Sequence, residues 1–117
     1  MLIDLHTHSS RYSGCSYIDP VSLVRGAIQK HLQGVVLTEH QYLWESAEID
    51  VLYREAEVPR SFVILAGQEV DTDIGHVLVF GAGESIREPM SLADLKKKYP
   101  EAALVMAHPY RKGRIPD

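Results

Sequence analysis

Short apolar runs alternate with helical patterns along the chain, and this alternation limits the fold more than any other feature. The runs span residues 2–5, 35–38, 62–66, 75–80 and 103–107. Continuous apolar runs of this length are typical of strands that are covered on both faces, as in parallel sheets. Their alternation with helices predicts an α/β fold with a largely parallel sheet of about five strands.

Helix signals separate most of the runs. Asp19 followed by Pro20 predicts a helix start, because Asp is a favoured N-cap and Pro fits the first helical turn. A second helix is predicted over residues 46–58, and a third over residues 92–99 with Ser91 as its N-cap.

The third and fourth strands leave no room for a helix between them. The polar sequence Asp71-Thr72-Asp73 lies between the two runs, at 62–66 and 75–80. Asp is a common turn residue, so we expect these two strands to form a hairpin closed at this sequence.

The composition is that of one globular domain. The chain has 117 residues, 45% of them hydrophobic and 24% charged, which predicts a single domain over residues 1–117. Its 12 basic and 16 acidic residues give a net charge of −4, which argues against stable binding of duplex nucleic acid. No apolar run approaches the roughly 20 residues of a membrane span, and the start of the chain has no signal-peptide pattern. With a single cysteine, Cys15, these features predict a cytoplasmic protein without a membrane partner.

Histidines and acidic residues stand where the predicted strands begin or end. His6 and His8 follow the first strand, Glu39 and His40 the second, and Glu69 the third, whereas His76 opens the fourth strand and His108 ends the fifth. Because the carboxyl ends of parallel strands meet at one edge of a sheet, these side chains should gather at that edge. The hairpin would bring His76 to the same edge.

Such a cluster indicates metal binding. The pair His6 and His8 should point to one face, because alternate residues of a strand share a face. Imidazoles and a carboxylate suit zinc, manganese or iron, and six ligands exceed the needs of one tetrahedral ion. A carboxylate such as Glu69 can bridge two ions. We therefore expect a centre of two or three divalent ions held by His6, His8, His40, Glu69, His76 and His108.

Other candidate residues have simpler interpretations. We expect His31 to be a hydrogen-bonded core residue rather than a ligand, and Cys15 to be a small buried residue rather than a thiolate ligand. Glu39 can act as an acceptor that orients His40. Arg111 can bind phosphate or lie in a solvated tail, whereas solvation is favoured for Arg114.

Five ordered segments resemble the PHP (polymerase and histidinol phosphatase) family. They are Asp4-Leu5-His6-Thr7-His8-Ser9, Gly34-Val35-Val36-Leu37-Thr38-Glu39-His40, Gly67-Gln68-Glu69-Val70, Gly75-His76-Val77-Leu78-Val79-Phe80-Gly81 and Ala107-His108-Pro109-Tyr110-Arg111. The resemblance implies a distorted α/β barrel, usually of seven strands, with two or three metal ions at its carboxyl edge. It also implies hydrolysis of phosphate esters, although some members are proofreading or inactive modules of DNA polymerases.

The resemblance also implies how the ligands are shared. His6 and His8 would hold a first ion, and Glu69 would bridge it to a second ion held by His76 and His108, with His40 at a third position. The family's last motif, an Asp-x-His near the C-terminus, is absent after the His108 segment. We therefore expect a C-terminally incomplete barrel that self-associates through its open edge. A short form completed by another subunit and a metal-poor remnant are the alternatives.

Three functions follow from these observations. The favoured one is metal-dependent hydrolysis of a small phosphomonoester or nucleotide, with Glu69 and Arg111 as catalytic residues. The alternative is a non-catalytic metal-binding or regulatory module. A third function, hydrolysis at carbon as in amidohydrolase barrels, is disfavoured because that chemistry usually needs a metal-bridging lysine and no lysine ends a predicted strand.

Overall fold

A computed structural model of the chain describes residues 2–13 and 16–107, and it has a mixed α/β fold. Its elements, in chain order, are β1 (Ile3–Thr7), α1 (Pro20–Gln29), β2 (Gly34–His40), α2 (Ser46–Ala56), β3 (Val63–Thr72), β4 (Gly75–Phe80), α3 (Leu92–Lys98) and β5 (Ala103–Met106). The predicted α/β class and the five strands are confirmed. No helix of the described residues is long and apolar enough to cross a membrane.

The five strands form one curled, half-barrel sheet in the order β1-β2-β3-β4-β5. β1, β2 and β3 are parallel, whereas β4 is antiparallel to both β3 and β5. The prediction of a largely parallel sheet is therefore wrong for half of the neighbouring pairs. The cause is the hairpin, because a tight turn reverses the chain direction.

The predicted hairpin between β3 and β4 is confirmed, but its turn lies further along the chain. Asp71 pairs with His76 and Thr72 pairs with Gly75, so the ladder extends to the end of β3. The turn consists of Asp73 and Ile74 rather than residues 71–73. This extension places Asp71 beside His76.

The helices begin as the sequence predicts. Asp19 caps α1 by accepting a hydrogen bond from the backbone N–H of Ser22, and Pro20 occupies the first turn. Ser91 caps α3 in the same way through the N–H of Asp94. α2 ends at Ala56, two residues before the predicted end.

Two apolar clusters lie on the same face of the sheet, as the strand register shows. One joins α1 and α2 to the sheet and contains Val24, Val35, Leu37, Leu52, Tyr53, Phe62 and Ile64. The other lies under α3 and contains Val70, Val77, Val79, Ile86 and Leu95. β2 is buried on both faces along most of its length, as predicted. The opposite face is more open, and Leu65 on it is 52% exposed.

The two outer strands of this sheet are β1 and β5. Leu5 on β1 and Val105 on β5 are at least half exposed. Self-association through these edges stays a prediction.

Candidate metal centre

The structure brings five of the six predicted ligands together at one edge of the sheet. β1 is longer than predicted and runs to Thr7, so His6 lies within it and His8 just after it, while His40 is the last residue of β2. Glu69 pairs with His40 across β2 and β3, and His76 is the second residue of β4. His108, the sixth predicted ligand, lies outside the described residues, as do Arg111, Arg114 and Cys15.

The carboxylate of Glu69 is the centre of this cluster, and its side chain is 0% exposed. Its Oε1 atom lies 2.6 Å from Nε2 of His6 and 3.2 Å from Nε2 of His8. Its Oε2 atom lies 2.8 Å from Nδ1 of His76 and 3.4 Å from Nδ1 of His40. Each carboxylate oxygen therefore faces two imidazoles.

Three of these residues, His6, His8 and Glu69, form a group whose ligand atoms are close enough to hold one metal ion. Ligand atoms around a tetrahedral zinc ion with bonds near 2.05 Å are about 3.3 Å apart. The His6–His8 and His8–Glu69 separations are both 3.2 Å and match this spacing. The 2.6 Å His6–Glu69 separation is that of a hydrogen bond, so those two ligands must separate by less than 1 Å when an ion binds.

The hydrogen bonds among the described side chains of the cluster leave some ring nitrogens crowded and another without a partner. The Nε2 atoms of His6 and His8 approach each other and also the same oxygen of Glu69. Nδ1 of His8 is buried and has no hydrogen-bond partner among the residues that the structure describes. A buried polar atom without a partner costs about 1–3 kcal/mol. Two imidazoles and a carboxylate are a donor set that zinc, manganese or iron accepts, so these residues fit a divalent ion.

The electrostatics favour the metal-binding protonation states of two members of the cluster, Glu69 and His40. Burial opposes ionisation of Glu69, but hydrogen bonds from His8 and His6 and the charge of His40 outweigh it and lower the pKa of Glu69 to about 2. Burial also lowers the pKa of His40, against the attraction of Glu69. At neutral pH an anionic carboxylate and a neutral imidazole are the forms that bind metal ions.

The second oxygen of Glu69 belongs to a different pair of histidines. His40 lies near this oxygen together with His76, and their rings are 5.6 Å apart. The resemblance implies a third metal position for His40, which stays a prediction. Nε2 of His76 lies 2.8 Å from Oδ1 of Asp71, so this ring lies between two carboxylates. A carboxylate on the far nitrogen of a ligand histidine commonly fixes its ring and tautomer.

Sequence reasoning missed two residues of this region. Asp71 was assigned to a turn, although its alternation with Glu69 along β3 could have indicated a shared face. Gln41 was not singled out at all. Its backbone N–H donates to the carbonyl of Glu69, its Oε1 accepts from the N–H of Asp71, and its own φ is 56°. Gln41 thus fixes β3 beside the end of β2.

The remaining histidine of the described residues is not part of the cluster. The expected core position of His31 is wrong, because His31 is exposed in the turn after α1, where its φ is 64°. It therefore supplies a natural control residue for experiments on the other histidines.

Comparisons with protein-family models, with curated proteins and with solved structures found no match for this chain. The resemblance to the PHP family therefore rests on the sequence motifs, and PHP membership stays a prediction.

Proposed function

We propose that this protein is a metal-dependent phosphoesterase that hydrolyses a small phosphomonoester or nucleotide, with its half-barrel sheet forming part of a PHP-type barrel in the cytoplasm. The observation that carries the proposal is the buried carboxylate of Glu69, which has two imidazoles at each of its oxygens. A buried anion with four convergent imidazoles suits a site that binds cations. Such polar clusters are costly to bury without a function.

In this proposal the carboxylate of Glu69 and its four imidazole neighbours would hold two zinc, manganese or iron ions. The imidazoles are those of His6, His8, His40 and His76. Bound divalent ions supply Lewis acidity and a hydroxide nucleophile at neutral pH.

The chain's own residues then have separate tasks. Glu69 remains ionised down to strongly acidic pH and holds its four imidazoles in place. Asp71 fixes the ring of His76. His108 would add a ligand, and Arg111 would bind phosphate oxygens through its planar guanidinium.

A non-catalytic metal-binding module is the second candidate. The observation that favours it is the spacing of the ligand atoms, because among the described residues only His6, His8 and Glu69 lie close enough together to hold an ion. One ion with three protein ligands would give binding without the two-ion arrangement that in-line phosphoryl displacement commonly uses.

The test measures bound metal and phosphate release on the same samples of the 117-residue chain. Metal content is measured after loading with Zn²⁺ or Mn²⁺, and hydrolysis is followed with p-nitrophenyl phosphate and a nucleotide monophosphate. The variants are His6→Ala and Glu69→Gln, and His31→Ala is the matched control because it removes an exposed imidazole.

Hydrolysis by the wild type and by His31→Ala, with loss in the other two variants, supports the phosphoesterase. Metal binding that depends on His6 and Glu69, without hydrolysis of either ester, supports the binding module instead. Equal metal content in all four proteins overturns both candidates.

A further inference from the structure

Glu39 is a second fully buried acidic residue, and it lies on the opposite face of the sheet from Glu69. Its carboxylate accepts hydrogen bonds from the backbone N–H of Ser9 at 2.8 Å, from Oγ of Ser13 at 2.7 Å and from Nε1 of Trp44 at 2.9 Å. The hydroxyl of Ser9 donates to it as well. Four neutral donors thus converge on one carboxylate.

These donors connect Glu39 to the segment after β1 and to the end of β2, which carry metal-ligand candidates. Ser9 directly follows His8 in the sequence. Ser13 lies in the same segment between β1 and α1, and its Oγ also accepts from the backbone N–H of His40 at 3.2 Å. Glu39 therefore joins the segment after β1 to the end of β2. The rings of His8 and His40, which these two segments carry, are stacked with centroids 4.5 Å apart.

Only a carboxylate can make this set of contacts. Its two oxygens are acceptors with about four lone-pair positions, which matches four donors. A glutamine would have one acceptor oxygen, and its NH₂ group would face donors. Glu39 and His40 are successive strand residues and point to opposite faces. Glu39 therefore does not orient the His40 ring by direct contact.

We propose that Glu39 is a positioning residue that sets the separation of the His8 and His40 rings through Ser9 and Ser13, and thereby the metal affinity of the centre, a role that rests on the proposed function. Outer partners of metal ligands commonly change metal affinity about 10–100-fold when they are lost. Glu39 would do so from the other face of the sheet, through the backbone of the segment after β1 and of the end of β2.

The test titrates the full chain with Co²⁺, whose visible absorption reports the ligand geometry, and determines zinc affinity by competition. The informative variants are Glu39→Gln and the double variant Ser9→Ala/Ser13→Ala. Trp44→Phe is the matched control, because it removes one donor from the same carboxylate and leaves the contacts to Ser9 and Ser13 in place. In the metal-free proteins, histidine ring NMR signals report the stacking of His8 on His40.

We expect Glu39→Gln and the serine double variant to bind Co²⁺ about 10–100-fold more weakly, with altered spectra and shifted His8 and His40 signals. Trp44→Phe should keep the wild-type affinity and spectrum. If Glu39→Gln fails to fold, the double variant decides. Wild-type affinity and unchanged signals in the double variant overturn the role of Glu39 while the metal centre stands. A wild type that binds no Co²⁺ overturns the metal centre itself.

Discussion

Replacement of Glu69 by glutamine gives the sharpest prediction, because it removes one charge and almost no volume from the middle of the cluster. Glu69 is fully buried and lies within 3.4 Å of four imidazoles. Its pKa in the folded protein is about 2, against an ordinary value of 4.5. Glu69→Gln removes this titration.

The contribution of Glu69 to the free energy of unfolding follows from the linkage between ionisation and folding. Each pH unit between the unfolded and folded pKa corresponds to about 1.4 kcal/mol, so Glu69 contributes about 3 kcal/mol to the free energy of unfolding. The folded pKa is depressed, so this stability is present above the ordinary pKa of 4.5 and is lost as the pH falls toward 2.

The titration of His40 affects stability in the upper part of the acid range, below pH 6.5. Its folded pKa is lowered by burial from 6.5, so its neutral form stabilises the fold above that pH and the stability is lost as the pH falls below it. Glu69 raises the pKa of His40, so without Glu69 this loss should be larger. The variant should therefore lose more stability than the wild type just below pH 6.5, and less below pH 4.5.

The assay is urea unfolding of metal-free protein, with a chelator present, at pH values from 7.5 to 2. The wild type should lose about 3 kcal/mol more than Glu69→Gln over the most acidic part of this range. Glu101→Gln, which alters an exposed carboxylate, should follow the wild type. Parallel curves for the wild type and Glu69→Gln would refute the reasoning.

Two further predictions concern the core. Leu37→Ala should cost about 2–5 kcal/mol of unfolding free energy, because Leu37 is 0% exposed under the helices, whereas Leu65→Ala on the open face should cost less than about 1 kcal/mol. Equal losses in urea unfolding would contradict the assignment of the two faces. Tyr53→Phe should cost about 1–3 kcal/mol, because the buried hydroxyl donates to the carbonyl of Phe62 and accepts from the N–H of Ile64. An unchanged unfolding midpoint for this variant would show that water satisfies both groups.

The hairpin between β3 and β4 shows which features can be predicted from local sequence signals and which cannot. The short gap between β3 and β4 predicted the connection, because only a tight turn fits in it. The position of the turn was wrong because pairing of Asp71 with His76 and of Thr72 with Gly75 outweighed the turn preference of the polar residues. As a result, the neighbour of His76 could not be predicted.

The direction of β5 shows a second limit of prediction from the sequence. Its apolar sequence predicted a strand, and the strand is present. Its antiparallel pairing with β4 depends on the path of the chain between the two strands. That connection consists of the segment after β4 and of α3. That path is set by packing against the second apolar cluster, which no local pattern encodes.

The sequence by itself determined the features that arise within a few residues: the strand segments, the caps at Asp19 and Ser91, and histidines at strand ends. These depend on short-range sterics and hydrogen bonding. Only the tertiary structure decided which imidazoles face each oxygen of Glu69, and that Glu39 binds two serines and an indole. His6 and Glu69 are 63 residues apart. Such contacts depend on strand register and loop packing, where a shift of one residue would turn each side chain to the other face of the sheet.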